Sequence, residues 1–177
     1  MSIHPEDIHR FVDLSSPCMS PDGNSIVYVS TRTLGHRSGT ESRLTIWDGD
    51  SRALTAGPKD GSPAYAPDGS SIAFLRPGDC GEKQVWIIPT DSGEAHQVTH
   101  LESGVETFAW APGSDRLALV SSVDPESGDD EDSPRTQVVR RIRYRDDGGG
   151  WRGDAFSQLY VFDIESGACE QLTKDEG

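Results

Sequence analysis

The chain has 177 residues, with 30 Asp and Glu against 16 Lys and Arg, for a net charge of −14. An acidic surface of that density repels phosphate backbones and anionic lipid, so nucleic-acid and membrane-surface binding are excluded as working readings. Hydrophobic residues make up 33% and charged residues 26%, lean for a core but too patterned for disorder.

Residues 5–12 read as a short N-terminal helix. Pro5 suits the first helical position, Glu6 and Asp7 suit the positive end, and Ile8, Phe11 and Val12 fall on one face, as in a strap laid on the body. Ser20-Pro21-Asp22-Gly23 follows. It returns as Ala66-Pro67-Asp68-Gly69 and, altered, as Ala111-Pro112-Gly113-Ser114, with starts 46 and then 45 residues apart. Proline pre-sets φ and glycine permits positive φ, so each copy reverses the chain between two strands. An apolar run follows each turn: Ile26 to Val29, Ile72 to Leu75, and Leu117 to Val120. A fixed period of about 20 to 50 residues marks a repeat architecture.

Each repeat reads as four short strands. In the first, the turn is followed by Leu44 to Trp47 and Arg52 to Thr55; in the second, Pro63 to Ala66, Ser71 to Leu75, Val85 to Ile88 and His96 to Thr99. The third comprises Thr107 to Ala111, Arg116 to Ser122, Gln158 to Ile164 and Cys169 to Thr173. The units end alike, in Ala53-Leu54-Thr55, Gln97-Val98-Thr99 and Gln171-Leu172-Thr173. The interval between these threonines grows from 44 to 74 residues, which marks an insert at 124–155. The insert opens on an acidic run, 124–133, read as a solvated loop. It turns strand-like over 136–145 and ends in Gly148-Gly149-Gly150-Trp151.

The near-continuous apolar runs suit strands buried on both faces, and no helical pattern lies between them. The expected fold class is all-β: a partial β-propeller of about three four-stranded blades with a short N-terminal helix. The expected divisions are 1–16 for the helix and strap, 17–55 for blade 1, 56–99 for blade 2 and 100–177 for blade 3. Closed propellers have about 4 to 8 blades, so three leave two outer faces bare. The expectation is an N-terminal part of a longer ancestral polypeptide.

Cys18, Cys80 and Cys169 have no metal or redox spacing, which favours a reducing interior, and Cys18 and Cys169 read as small core residues. The N-terminus has neither a basic nor an apolar leader region, and the expected location is cytoplasmic. The acidic balance reads as adaptation to a high-salt cytoplasm; an ordinary acidic mesophilic protein is the rival reading.

Candidate chemistry is sparse. Gly49-Asp50-Ser51-Arg52-Ala53 and Gly69-Ser70-Ser71-Ile72-Ala73 match a nucleophile elbow in letters only, because one is a strand-to-strand turn and the other enters a strand. His4, His9, His36, His96 and His100 form no metal-ligand pairing. Asp129-Asp130-Glu131-Asp132 lacks the spaced ligands and glycine of a calcium loop. No cofactor or metal is expected. Arg140, Arg141, Arg143 and Arg145 form the one basic cluster. On a strand, Arg141, Arg143 and Arg145 share a face with Val139, while Arg140 lies opposite with Val138, Ile142 and Tyr144. They either pair with the acidic run upstream, the favoured reading, or hold a peptide carboxylate or carbonyl.

With the repeats laid out, the chain resembles the N-terminal propeller of the prolyl oligopeptidase family, in its acylaminoacyl peptidase and dipeptidyl aminopeptidase branch. The likeness rests on Pro5-Glu6-Asp7-Ile8, Ser16-Pro17 and the first turn. It rests more specifically on Arg143-Tyr144-Arg145 before Asp147-Gly148, then Gln158-Leu159-Tyr160-Val161, Asp163 and Gln171-Leu172-Thr173. The resemblance implies a propeller that caps a C-terminal α/β-hydrolase domain and filters peptides reaching a Ser-Asp-His triad. It also implies substrate binding at Arg143 and Arg145, while the catalytic residues belong to the hydrolase domain and none maps onto this chain. Partners are then the hydrolase domain or the remaining blades, and peptide substrates. The other functional reading is a stand-alone interaction module or propeller remnant that recruits a partner through its exposed blade faces.

Overall fold

The three reversals close in the same way. The amide of Gly23 donates to the Ser20 carbonyl at 2.9 Å, that of Gly69 to Ala66 at 2.8 Å, and that of Ser114 to Ala111 at 3.0 Å. The fourth residue has a left-handed φ each time: +74° at Gly23, +74° at Gly69 and +60° at Ser114. In the third copy a serine holds a conformation that glycine adopts without steric cost. The computed structural model describes residues 4–35, 39–91, 93–123, 145–146, 150–151 and 156–174.

Around these turns stand three four-stranded antiparallel sheets. The first contains β1 (Val12–Met19), β2 (Ile26–Thr33), β3 (Thr40–Trp47) and β4 (Ser51–Ala53) in sequence order. The second contains β5 (Gly61–Tyr65), β6 (Ser71–Pro77), β7 (Lys83–Pro89) and β8 (His96–Gln97). The third sheet starts with β9 (Thr107–Trp110) and β10 (Arg116–Val123). A two-stranded hairpin, β11 (Arg145–Asp146) with β12 (Gly150–Trp151), intervenes before β13 (Phe156–Asp163) and β14 (Cys169–Gln171) complete it. Strand-by-strand order within each sheet is that of a propeller blade. The acidic run and most of the strand-like stretch of the insert lie outside the described residues.

The N-terminal helix differs from expectation. Residues Pro5–Arg10 form a 3-10 helix, and Val12 belongs to β1, paired with Arg32. So short a segment forms α-helix only where packing supports it, and the proposed apolar face lacks that support: Ile8 is 54% exposed and Phe11 66% exposed. Pairing of β1 with β2 claims the chain from Val12 onward.

The core is two slabs with the middle sheet between them. Val27, Val29 and Leu44 of the first sheet pack with Tyr65, Ile72, Phe74 and Ile88 of the second. Ala73, Leu75, Val85 and Ile87 pack with Val105, Leu117, Leu119 and Phe162 on the other side. Alternate residues of β6 thus serve opposite slabs, as its unbroken apolar run requires. In the flanking sheets one face is covered more fully than the other: Val27 and Val29 are buried, with Tyr28 half-buried between them and its partner Thr45 buried, while Ala118 is exposed between buried Leu117 and Leu119. Cys18 packs half-buried on the first slab, but Cys169 is exposed, contrary to the core role expected for it.

Candidate functional site

The repeated terminal threonines have a physical role. Each hydroxyl accepts the amide that opens the apolar part of the third strand of its sheet: Leu44 to Thr55 at 3.0 Å, Val85 to Thr99 at 2.9 Å, and Leu159 to Thr173 at 2.9 Å. Each then donates to an acceptor. In the second and third sheets that acceptor is the glutamine just before the strand amide, Gln84 at 2.8 Å and Gln158 at 2.5 Å. In the first sheet Arg43 occupies that position and pairs with Glu41. Asp60, from the connection to the second sheet, takes over as acceptor for Thr55.

Asp60 also carries the shortest and most buried charge pair among the described residues. Arg76 grips its carboxylate bidentately, Nε to Oδ1 at 2.6 Å and Nη2 to Oδ2 at 3.0 Å. The Asp60 side chain is fully buried and that of Arg76 is 17% exposed. The guanidinium lies over the rings of Phe74 and Trp86, with centroids 5.0 and 4.9 Å away. The indole Nε1 of Trp86 is buried without a partner. A side chain at Gly57 would collide with both members of the pair. The pair locks the first sheet to the second, helped by Ser42, whose hydroxyl donates to the Asp60 carbonyl at 2.8 Å.

At the turn end, a groove of about 490 Å³ runs between the first two sheets, lined by Pro21, Asp22, Ile46, Tyr65 and Asp68 among others. Its buried floor joins Tyr65 to Ser25 by an O–H···O bond of 2.8 Å, and burial pushes the Tyr65 phenol above its usual range. Asp22 is held below the usual carboxylate range, first by the Ser20 hydroxyl at 2.6 Å and then by the Asn24 amide. In Asp68 the same downward shift comes first from the Ser70 amide at 3.0 Å. These carboxylates already serve their own turns.

The first strands of the three sheets, β1, β5 and β9, are edge strands and form the inner rim. β1 and β5 each bulge at one place, between Ser15 and Cys18 and between Gly61 and Ala64. Ser16 and Ser62 there take φ of +50°, each before a proline. Proline has no ladder donor and is tolerated at bulges and edges.

Arg143 lies outside the described residues; Arg145 opens β11 with its backbone opposite Trp151. Ser51 opens β4 and Ser71 opens β6, so neither near-match to an elbow stands on a strand-to-helix turn. Among the described residues no group of three or more His, Cys, Asp or Glu converges as metal ligands. No described helix is long and apolar enough to cross a membrane. The Asp60–Arg76 pair and the inner-rim bulges escaped sequence reasoning.

Three four-stranded antiparallel sheets of this construction define the chain as a partial β-propeller. No family model matches it. It is 31% identical over 181 residues to the uncharacterized peptidase YuxL of Bacillus subtilis, covering 97% of this chain and 28% of that protein. The Pyrococcus horikoshii acylaminoacyl peptidase superposes over 97% of this chain and 26% of its own, with a TM-score of 0.79 and 23% identity. The β-propeller domain of the Trilobed protease from Pyrococcus furiosus covers 94% of this chain and 44% of its own, with a TM-score of 0.62 and 18% identity. The chain is therefore a partial propeller, similar in sequence along nearly its whole length to a peptidase and similar in fold to part of acylaminoacyl peptidase. It spans little more than a quarter of the length of the peptidase it resembles in sequence.

Proposed function

We propose that the chain is the non-catalytic propeller portion of a serine peptidase of acylaminoacyl or dipeptidyl peptidase type. In this reading it admits peptides to a separate α/β-hydrolase domain in a salt-rich cytoplasm. The observation that carries the reading is the 31% identity to a peptidase along 97% of the chain. Catalysis then belongs to the hydrolase domain, and the propeller contributes exclusion by size and orientation of the entering peptide. Arg143 and Arg145 are its substrate-facing candidates, suited by the guanidinium fork to a peptide carboxylate or carbonyl.

The test is capture of the native protein from its source with antibodies to this chain, followed by labelling with a fluorophosphonate. A labelled serine hydrolase, on the same polypeptide or bound to it, is expected. Its hydrolysis of peptides should fall with increasing substrate length, and Arg143→Ala with Arg145→Ala should raise KM. Capture of an unlabelled protein alone would overturn the reading.

A further inference from the structure

The two contacts between sheets are built from equivalent positions. The strand amides that meet the terminal threonines, those of Leu44, Val85 and Leu159, set the alignment of the repeats. The residue before each threonine agrees with it: the amides of Leu54, Val98 and Leu172 donate to the carbonyls of those same three residues. With the turns aligned as well, Val27, Val29, Leu44 and Leu54 form the rear face of the first sheet, which packs on the second. Their equivalents in the second sheet, Ala73, Leu75, Val85 and Val98, pack on the third. The front faces that receive them are equivalent too: Ile72, Phe74, Trp86 and Ile88 in the second sheet, and Leu117, Leu119, Tyr160 and Phe162 in the third. Each contact thus joins the rear face of one sheet to the front face of the next.

One front face and one rear face have no sheet against them, and both keep the pattern of the packed ones. The front face of the first sheet carries Ile26 opposite Trp47 and Tyr28 opposite Thr45, and Trp47 is 45% exposed. The rear face of the third sheet carries Ala118, Val120, Leu159 and Leu172 at the equivalent places, and Leu172 is 51% exposed. Apart from Thr45, every one of these positions is apolar. The last residues of β5 and β9 also reach back to the preceding sheet, the Tyr65 hydroxyl to Ser25 at 2.8 Å and the Trp110 indole to the Ala64 carbonyl at 3.1 Å. The same place in β1 holds Met19, which is 60% exposed.

We propose that these two faces belong together: two copies of this chain close a ring, the rear face of the third sheet in each copy packing on the front face of the first sheet in the other. The repeat supplies the complementarity, since a rear face already meets a front face twice within the chain. Closed propellers have about 4 to 8 blades, and units of three reach that range only as a pair, with about six. A two-fold axis through the ring makes the two new contacts identical. Met19 of each copy then lies against β9 of the other, as Trp110 lies against β5. The pairing stands on the sheet faces alone and goes beyond the peptide-admitting reading, to which it would supply a closed wall.

The test is sedimentation velocity of the full chain across a range of concentrations, in molar KCl to screen the net charge of −14. The mass should rise from the 19.2 kDa of one chain to twice that value and stop there. Trp47→Glu alters only the front face and Leu172→Glu only the rear face, and the axis places either carboxylate in both contacts. Each should raise the dimer Kd at least about a hundredfold. Mixed in equal amounts, the two variants should regain dimer, because one of the two contacts then has both faces unaltered. A dimer lost with one substitution and untouched by the other would mean that like faces meet, and overturns the pairing. Species that keep growing with concentration overturn the ring, and a monomer at every concentration overturns the association itself. Both side chains are exposed, and far-UV circular dichroism checks that the variants fold; if either does not, the limiting mass of the wild-type chain still decides. The fluorophosphonate capture judges the peptidase reading separately.

Discussion

Asp60 shows how one substitution in a repeat is compensated from outside it. With Arg43 in place of the glutamine found at 84 and 158, the Thr55 hydroxyl needs another acceptor, and the connecting loop supplies it. That acceptor is an anion, so it in turn requires Arg76, and Arg76 uses the faces of Phe74 and Trp86. Asp60→Ala removes one end of a buried pair and strands the guanidinium. The expected loss is about 3–5 kcal/mol, the range for breaking such pairs, read as a lowered midpoint in urea unfolding. A loss under about 1 kcal/mol, as at exposed pairs, would mean the pair behaves as a surface contact. None of this was legible beforehand, because Asp60 sits in the connection between two sheets and Arg76 in β6, with no periodic relation. The threonines at 55, 99 and 173 were legible as a repeat, but their hydroxyl chemistry became clear only when the facing strand amides were located.

At the scale of the element, the turns and strands were the most readable feature. Proline and glycine constrain local backbone whatever packs around them, and the apolar runs behind them sit on the sheets expected. The N-terminal segment was less readable because helix formation depends on tertiary support that periodicity cannot report. The turns also carry a testable electrostatic load. Asp22 and Asp68 are held low as described, and Asp163 likewise, first by the Ser166 amide and then by its hydroxyl. A carboxyl depressed in the folded state stabilises it above the unfolded pKa, and that contribution is lost as pH falls through the depressed value. Stability should therefore decline as pH drops below about 4, the unfolded carboxylate range. The triple variant Asp22→Asn, Asp68→Asn, Asp163→Asn should flatten that decline in thermal unfolding followed from pH 6 to pH 2. An unchanged acid limb would assign the pH dependence to other carboxylates.

Two opposing forces act on the whole molecule. Leu14, Met19 and Trp47 on the first sheet and Leu159 on the third are exposed apolar side chains, and such patches favour association. The net charge of −14 opposes both association and compaction. Salt screens exposed charges over a Debye length of about 10 Å at 0.1 M and about 3 Å at 1 M, and it leaves apolar burial in place. Molar KCl should therefore raise the unfolding midpoint of the chain and, in sedimentation velocity, shift it from a monomer toward larger species. Both changes follow from one cause and should track each other as KCl is titrated. Equal stability at low and molar KCl would remove the high-salt reading of the composition. A rise in stability with a compact monomer throughout would keep that reading and would mean that the bare faces of the flanking sheets are not adhesive.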